Sequence, residues 1–243
     1  MKTLFKSVLS GFCFSVFGIG SLIVGLIVFP LIILFYPRKK QRQALVNTIR
    51  HVWSFFVALM EFCQLIKVEP LEHSDFRGKI IISNHPSLID IVILISKIPN
   101  CICIVKSELN RNFFMKHIVR RVYLINDMDP DKLMDEVKSL LDEGFNLVVF
   151  PEGTRTTKPK EEIKLHRGVA HLAIHTNAEI IAFHIQNTPP ILGKKQKWYQ
   201  MGKTASIYKI SKQKKINFQN IQNLSRHSAA KHLTEEIKNA IFP

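Results

Sequence analysis

Short apolar runs alternate with helix-like patterns over residues 79–185. The apolar runs that predict β-strands are Lys79–Asn84, Ile102–Ser107, Val122–Asn126, Asn146–Phe150 and Glu179–Ile185. Apolar positions at helical spacing predict helices over Pro86–Ile98, Arg111–Arg121, Pro130–Glu143 and Arg167–Thr176. Alternating strands and helices are typical of an α/β domain, so we predict a mixed, largely parallel sheet flanked by helices.

The helix predicted at residues 130–143 has the clearest ends. Asp129 can cap its start, Pro130 suits its first turn, and Gly144 suits its C-terminal stop. In sheets of this kind, sites lie where strands end and helices begin. The loops that follow the predicted strands are therefore the places to look for chemistry.

The N-terminal segment is apolar throughout, with no charged residue between Lys6 and Arg38. This run is longer than the roughly 20 residues that a helix needs to cross a bilayer. A secretory signal usually has an apolar region of only about 7–15 residues and a small-residue cleavage site, and neither fits here. We therefore predict a retained membrane anchor. Glycines and Pro30 interrupt the run, so both a simple span and a re-entrant helix pair remain open.

The basic segment "RKKQR", Arg38–Arg42, follows the apolar run directly. Positively charged residues favour the cytoplasmic side, so we expect the rest of the chain to face the cytoplasm from the inner membrane. Helical spacing over Gln43–Val68 predicts a second helix at the membrane interface, and Glu69–Lys79 reads as a polar linker. The predicted division is a membrane-anchoring helical segment at 1–68 and an α/β domain at 69–243.

Composition narrows the choice of partner. The chain has 243 residues, 47% of them hydrophobic, and a formal net charge of +15, which indicates an anionic partner. No acidic residue occurs over Ile180–Thr234, whereas eight lysines accumulate over residues 194–215: Lys194, Lys195, Lys197, Lys203, Lys209, Lys212, Lys214 and Lys215. With Trp198 and Tyr199 among them, they favour anionic lipid head groups slightly over a solvated surface. No nucleic-acid motif is present, and the four cysteines lack zinc spacing, so neither nucleic acid nor metal is expected.

The segment "NHPSLID" places a histidine and an aspartate between a predicted strand and a helix. His85 precedes Pro86 and should be extended, while Pro86 suits the first helical turn. Asp90 would then lie one turn up the helix, where its carboxylate can reach back to the imidazole. Such a pair can act as a general base with its orienting group, although a capped turn explains it about as well. With no nucleophile in the obvious place, the substrate could supply a hydroxyl, while Ser87 remains an alternative.

The segment "FPEGTR" follows a later apolar strand. Gly153 permits a close backbone approach, Thr154 offers a hydroxyl, and Arg155 presents a planar fork suited to a phosphate or carboxylate. Glu152 can hold the loop or Arg155 in place. We interpret this loop as an anion cradle in preference to an ordinary strand–turn with a Glu–Arg pair.

"NHPSLID" followed about sixty residues later by "FPEGTR" resembles the glycerolipid acyltransferases of the 1-acyl-glycerol-3-phosphate acyltransferase type. The resemblance covers roughly Lys79–Ile185. It implies that His85 deprotonates an acceptor hydroxyl with support from Asp90, and that Glu152, Gly153 and Arg155 bind the acceptor phosphate. Acyl-CoA or acyl carrier protein would be the donor substrate, a membrane lyso-lipid the acceptor, and no cofactor would be needed.

Two positions depart from the family pattern. Asn126 and Asp127 stand where the family commonly has an arginine that helps hold the phosphate, and Ala182 stands where it has a proline. Arg120 and Arg121, just upstream, are candidates to compensate. Otherwise the acceptor could be another lyso-lipid, such as a lyso-aminolipid. A thioesterase or lipid hydrolase and a non-catalytic lipid-binding protein are the alternative functions.

Overall fold

The structure, a computed structural model, describes residues 2–72, 75–213, 216 and 225–243. Within these ranges the strands are β1 (Ile66–Val68), β2 (Ile80–Ser83), β3 (Cys101–Val105), β4 (Leu124–Ile125), β5 (Asn146–Val149), β6 (Ile180–Thr188) and β7 (Ser206–Lys212). The α-helices are α1 (Lys2–Ile23), α2 (Phe29–Phe35), α3 (Arg38–Phe62), α4 (Asp90–Lys97), α5 (Lys116–Val122), α6 (Pro130–Asp142), α7 (Gly168–Thr176) and α8 (Arg226–Ile241). Lys214 and Lys215 of the predicted basic surface lie outside the described residues.

All seven strands form one sheet in the order β1-β7-β6-β2-β5-β3-β4. Every neighbouring pair is parallel except β6 and β7, which confirms the predicted mixed, largely parallel sheet. At the centre lies β2, paired with both β5 and β6, and all four of its residues are buried. Because β2 and β5 are parallel neighbours, their carboxyl ends meet at one edge, where the two motif loops begin.

The five predicted strands are present near their expected positions, but β7 and α8 lie where no element was assigned, and β1 lies where a helix was expected. The predicted helix over Gln43–Val68 is wrong at its end, because α3 stops at Phe62 and β1 follows. Gln64 has a left-handed φ of 54°, which ends the helix and turns the chain toward the sheet. One strand of the sheet thus precedes residue 69, and the division into 1–68 and 69–243 remains a prediction.

The ends of α6 confirm the expected signals. The Asp129 side chain accepts hydrogen bonds from the backbone N–H groups of Asp131 and Lys132, and Pro130 occupies the first turn. Gly144 follows the helix with φ of 91°, a conformation that glycine adopts at little cost. Both ends of this helix are therefore set by local sequence.

The N-terminal run is helical from Lys2 to Phe35, so the expectation that its glycines break it up is wrong. The only departure from α-helical geometry in this run is a π-helical turn at Val24–Val28, just before Pro30. In this structure, Thr3–Phe35 is the single helix among the described residues long and apolar enough to cross a membrane. The glycines of this segment therefore do not interrupt the helix.

Three of these glycines recur every seven residues and face the α/β domain. A Cβ at Gly11 would lie 3.1 Å from the Trp198 ring, and one at Gly25 would lie 2.6 Å from Cβ of His117. At Gly18 the corresponding distance to the Phe114 ring is 3.3 Å. One face of the apolar helix is therefore pressed against the domain along much of its length.

The N-terminal end of α1 also lies against the domain. The Ser7 hydroxyl donates to the carbonyl of Tyr199, and the Ser10 hydroxyl donates to that of Trp198. Lys6 donates to the carbonyl of Gln64, just beyond the end of α3. The chain reverses between α2 and α3, so that α1 and α2 form a helical hairpin with α3. Both ends of this N-terminal hairpin lie next to the sheet.

Candidate active site

The first motif forms a turn after β2 and before α4. The expectation that Pro86 starts the helix is wrong, because α4 begins at Asp90 and the preceding residues form a non-helical turn. Asp90 holds this turn closed, since its Oδ2 accepts the backbone N–H of Ser87 at 2.7 Å and its Oδ1 accepts the Ser87 hydroxyl at 2.7 Å. The carboxylate therefore closes the turn and remains available to His85.

His85 and Asp90 are in direct contact, as their spacing suggested. Nδ1 of His85 lies 2.9 Å from Oδ2 of Asp90, and the carboxylate is fully buried. A buried carboxylate accepts, so Nδ1 carries the proton and Nε2 is left with a free lone pair. The capped turn and the His85–Asp90 contact are therefore one arrangement.

The imidazole is held on a second side by an aromatic ring. Phe150, which follows β5, stacks on His85 with ring centroids 4.1 Å apart and an interplanar angle of 14°. The His85 side chain is 17% exposed and lines a large cavity. The ring is thus fixed by Asp90 and Phe150, with access to a substrate from the cavity.

The second motif is bonded to the backbone of the first. The backbone N–H of His85 donates to Glu152 Oε1 and to Thr156 Oγ1, each at 3.0 Å, and the Thr156 N–H donates to the His85 carbonyl at 2.7 Å. The Thr156 hydroxyl also donates to Glu152 at 2.6 Å. Burial raises the pKa of the Glu152 carboxyl, while its hydrogen bonds to Thr156 and His85 oppose that rise. Glu152 joins the two loops and does not line the cavity.

Gly153, Thr154 and Arg155 do line the cavity. Gly153 has φ of 62°, and a Cβ there would lie 3.0 Å from Cδ2 of His166, so both conformation and space require glycine. The Arg155 guanidinium donates through one terminal nitrogen to the carbonyls of Leu192 and Gly193, at 2.9 and 3.0 Å. The loop between β6 and β7 therefore orients this arginine, a contact that sequence reasoning missed.

The cavity has a volume of about 920 Å³, at the upper end of the range of small-molecule sites. Most of its wall is apolar and comes from α4, α6, α7 and the carboxyl ends of β3 and β5. The main apolar side chains are Leu88, Ile91, Val105, Leu109, Leu133, Met134, Val149, Phe150, Val169 and Leu172. A long apolar chain and a polar group can therefore both be accommodated beside His85.

Lys106, which follows β3, is a further cation lining this cavity. Sequence reasoning missed it, although its place near the end of a predicted strand was an available signal. Arg120 and Arg121, expected to compensate for the missing arginine, are not among the residues that line the cavity. Arg120 donates to the Asn110 side chain and Arg121 to the His117 carbonyl. The lysine and arginine side chains that line the cavity with His85 are Lys106 and Arg155, and the acidic Glu108 lines it as well.

Comparisons with known proteins identify the family of this chain and agree with its fold. A family model described as acyltransferase matches residues 65–186, half of the chain. A 1-acyl-sn-glycerol-3-phosphate acyltransferase of Helicobacter pylori is 28% identical over 181 residues, covering 72% of this chain and 74% of that protein. A protein of the same name from Cocos nucifera is 28% identical over 130 residues, covering 51% of this chain and 42% of that protein.

Among solved structures, the 1-acyl-sn-glycerophosphate acyltransferase of Thermotoga maritima shares the fold, with a TM-score of 0.68 and 18% identity. The similarity covers 98% of this chain and 95% of that one. The sheet and its flanking helices are therefore those of this α/β fold. The chain belongs to the acyltransferase family, and it is an acyltransferase.

Proposed function

We propose that the protein transfers a fatty acyl group to the free hydroxyl of 1-acyl-glycerol-3-phosphate, with His85 as the general base. The observation that carries this proposal is the His85–Asp90 pair, which presents its free imidazole edge to a largely apolar cavity lined also by Arg155 and Lys106. Acyl-CoA or acyl carrier protein is the donor, and the two similarly named relatives support the choice of acceptor.

The reaction requires no covalent enzyme intermediate. Neutral His85 takes the acceptor hydroxyl proton on Nε2 as the oxygen attacks the thioester carbonyl. Collapse of the tetrahedral intermediate breaks the C–S bond, and the imidazolium returns the proton to the leaving thiolate. The products are the diacylated lipid and the free thiol of the donor. Holding donor and acceptor together in the cavity supplies the remaining rate enhancement.

Acceptor recognition falls to Arg155 and Lys106. Two backbone carbonyls hold one terminal nitrogen of Arg155, so the guanidinium is oriented before an anion binds. Lys106 adds a second positive charge where Asn126, which also lines the cavity, replaces the family's arginine. This pair supports a phosphate-bearing acceptor over a lyso-aminolipid.

The hydrolase alternative finds little support at Ser87. Its side chain is fully buried, donates its proton to Asp90, and accepts a hydrogen bond from the Tyr208 hydroxyl. A serine nucleophile needs access to substrate and a base that takes its proton. Ser87 has neither this access nor such a base. Acyl transfer to a lipid hydroxyl is therefore a better proposal than hydrolysis through Ser87.

A panel of lyso-lipids tests the acceptor. We expect purified protein, given acyl-CoA or acylated carrier protein, to convert 1-acyl-glycerol-3-phosphate to phosphatidate faster than it acylates any lyso-lipid whose phosphate is masked or absent. Mass spectrometry of the lipids and free acids measures the outcome. Preferred acylation of a lyso-aminolipid, or release of free fatty acid as the main product, would contradict the proposal.

We further propose that the N-terminal hairpin lies in one leaflet on the cytoplasmic side. Exposed apolar side chains follow the outer face of α1, the π-helical turn and α2, mostly at intervals of three or four residues, namely Leu4, Val8, Phe12, Ile19, Ile23, Leu26, Leu31 and Leu34. The opposite face is covered by the domain, as the packing of Gly11, Gly18 and Gly25 indicates. A helix that spans a bilayer would instead be clear of its own soluble domain, so the arrangement supports in-plane binding.

Charged substitutions on the outer face test this membrane contact. We expect Leu26→Glu with Leu31→Glu, at two exposed positions, to shift the full-length protein from the membrane pellet to the supernatant after a high-salt wash. His232→Glu with Asn239→Glu, on the exposed face of α8, is the control and should stay in the pellet. Equal retention of both variants would show that the outer face does not hold the protein on the membrane.

A further inference from the structure

A buried chain of hydrogen bonds leads from the sheet to the His85–Asp90 pair. The Tyr208 hydroxyl donates to the Ser87 hydroxyl at 2.9 Å, which donates to Asp90 Oδ1 at 2.7 Å. The other oxygen of Asp90 holds Nδ1 of His85 at 2.9 Å. All three groups beyond the histidine are fully buried. The orientation of the imidazole therefore depends on groups that no substrate touches.

The direction of each bond in this chain follows from the chemistry of its members. An ionised carboxylate can only accept, so Ser87 gives its single hydroxyl proton to Asp90. The Ser87 oxygen must then accept, and its partners are the Tyr208 hydroxyl and, at 3.3 Å, the Ile89 N–H. Burial raises the pKa of the Tyr208 hydroxyl, which keeps it protonated and able to donate. Without Tyr208, Ser87 would keep only the longer of its two donors.

The backbone of Tyr208 is firmly held in the sheet. It lies in β7, between β1 and β6, where it pairs with Val68 on one side and Asn187 on the other. Its carbonyl accepts the Glu69 N–H at 2.9 Å. A tyrosine on an interior strand can therefore hold in place the turn that carries Ser87, which is on a different segment of the chain.

We infer that Tyr208 is a positioning residue for acyl transfer. Its hydroxyl sets the rotamer of the Ser87 hydroxyl, which holds one oxygen of Asp90 so that the other remains directed at His85. This inference rests on the proposed role of His85 as the base. Tyr208 touches neither the reacting atoms nor the cavity, so its loss should affect the chemical step more than substrate binding.

Removal of one hydroxyl tests the inference. We expect Tyr208→Phe to lower kcat by about five- to tenfold, comparable to the loss of one hydrogen bond, with KM for donor and acceptor changed less than twofold. Tyr123→Phe is the matched control, because among the described residues the buried Tyr123 hydroxyl has no hydrogen-bond partner. It should retain the wild-type kcat. An unchanged kcat in Tyr208→Phe, or an effect confined to KM, would overturn the inference.

A double-mutant comparison separates positioning from general destabilisation. Because Tyr208 acts through Ser87, we expect Ser87→Ala combined with Tyr208→Phe to have the same kcat as Ser87→Ala alone. Independent losses that multiply would overturn the inference. Ser87→Ala also tests the inference if Tyr208→Phe does not fold. A wild-type kcat in Ser87→Ala would show that acyl transfer does not need the hydrogen bonds from Tyr208 through Ser87 to Asp90.

Failure of this inference can be distinguished from failure of the proposed function. An inactive His85→Ala protein together with a fully active Tyr208→Phe protein would remove Tyr208 from the mechanism and leave the base in place. A fully active His85→Ala protein would exclude both His85 as the base and Tyr208 as its positioning residue. Thermal melting of each variant in detergent gives the folded fraction to which kcat is normalised.

Discussion

Replacement of His85 by alanine is expected to lower kcat for acyl transfer by about a hundred- to ten-thousandfold, the range that general base catalysis supplies. The free imidazole edge lies in the cavity and Asp90 holds the other nitrogen, so alanine removes the only oriented imidazole of this turn. KM for the acceptor should change little, because Arg155 and Lys106 remain. Initial rates of phosphatidate formation from acyl-CoA and lyso-lipid measure both constants.

The control for this substitution is His232→Ala, on the exposed face of α8 and away from the cavity lining. It should leave both constants unchanged. Alanine at position 85 also removes the stacking of the imidazole on Phe150, so the melting temperature of both variants must be compared. A stable His85→Ala protein with the wild-type kcat would exclude His85 as the base.

Replacement of Arg155 by alanine is expected to raise KM for 1-acyl-glycerol-3-phosphate by about ten- to a hundredfold, as for a lost charge-assisted hydrogen bond. Arg155→Lys should recover only part of this loss, because an ammonium has the charge but not the planar fork that Leu192 and Gly193 orient. KM for the acyl donor serves as the internal reference. Titration of the acceptor at saturating donor gives the constants.

The matched control for Arg155 is Arg120→Ala, an arginine that does not line the cavity and whose Nε bonds to Asn110. It should leave KM for the acceptor unchanged. A large rise in KM for Arg120→Ala with none for Arg155→Ala would reverse the assignment and restore the expectation drawn from the sequence. An equal effect in both variants would instead point to a general attraction of anionic lipid to a basic surface.

Elements with strong local patterns were predicted well. The buried isoleucines of β2 and the capped, glycine-terminated α6 are examples in which a few neighbouring residues decide the structure. β7 was not predicted, although its buried and exposed positions alternate. The lysines on its exposed face were interpreted as part of a surface that binds anionic lipid. β1 has only three residues, too few for a periodic pattern.

The start of α4 shows why local rules fail at a site. Proline suits a first helical turn, so the helix was predicted from Pro86, but it begins at Asp90. The difference arises because Asp90 accepts from Ser87 and His85 and holds the preceding residues in a tight turn. The same bonds give the histidine its orientation, so the exception to the helix rule is itself part of the site.

The sequence by itself determined the α/β class, the His85–Asp90 pair and the two motif loops, because each depends on residues that are close along the chain or follow neighbouring strands. Only the tertiary structure decided that Glu152 bonds to the backbone of His85, 67 residues away. It also decided that Tyr208 supports Ser87 across 121 residues, and that Lys106 lies at the cavity while Arg120 does not. These contacts are created by the order of strands in the sheet, which no local pattern of apolar and polar residues specifies.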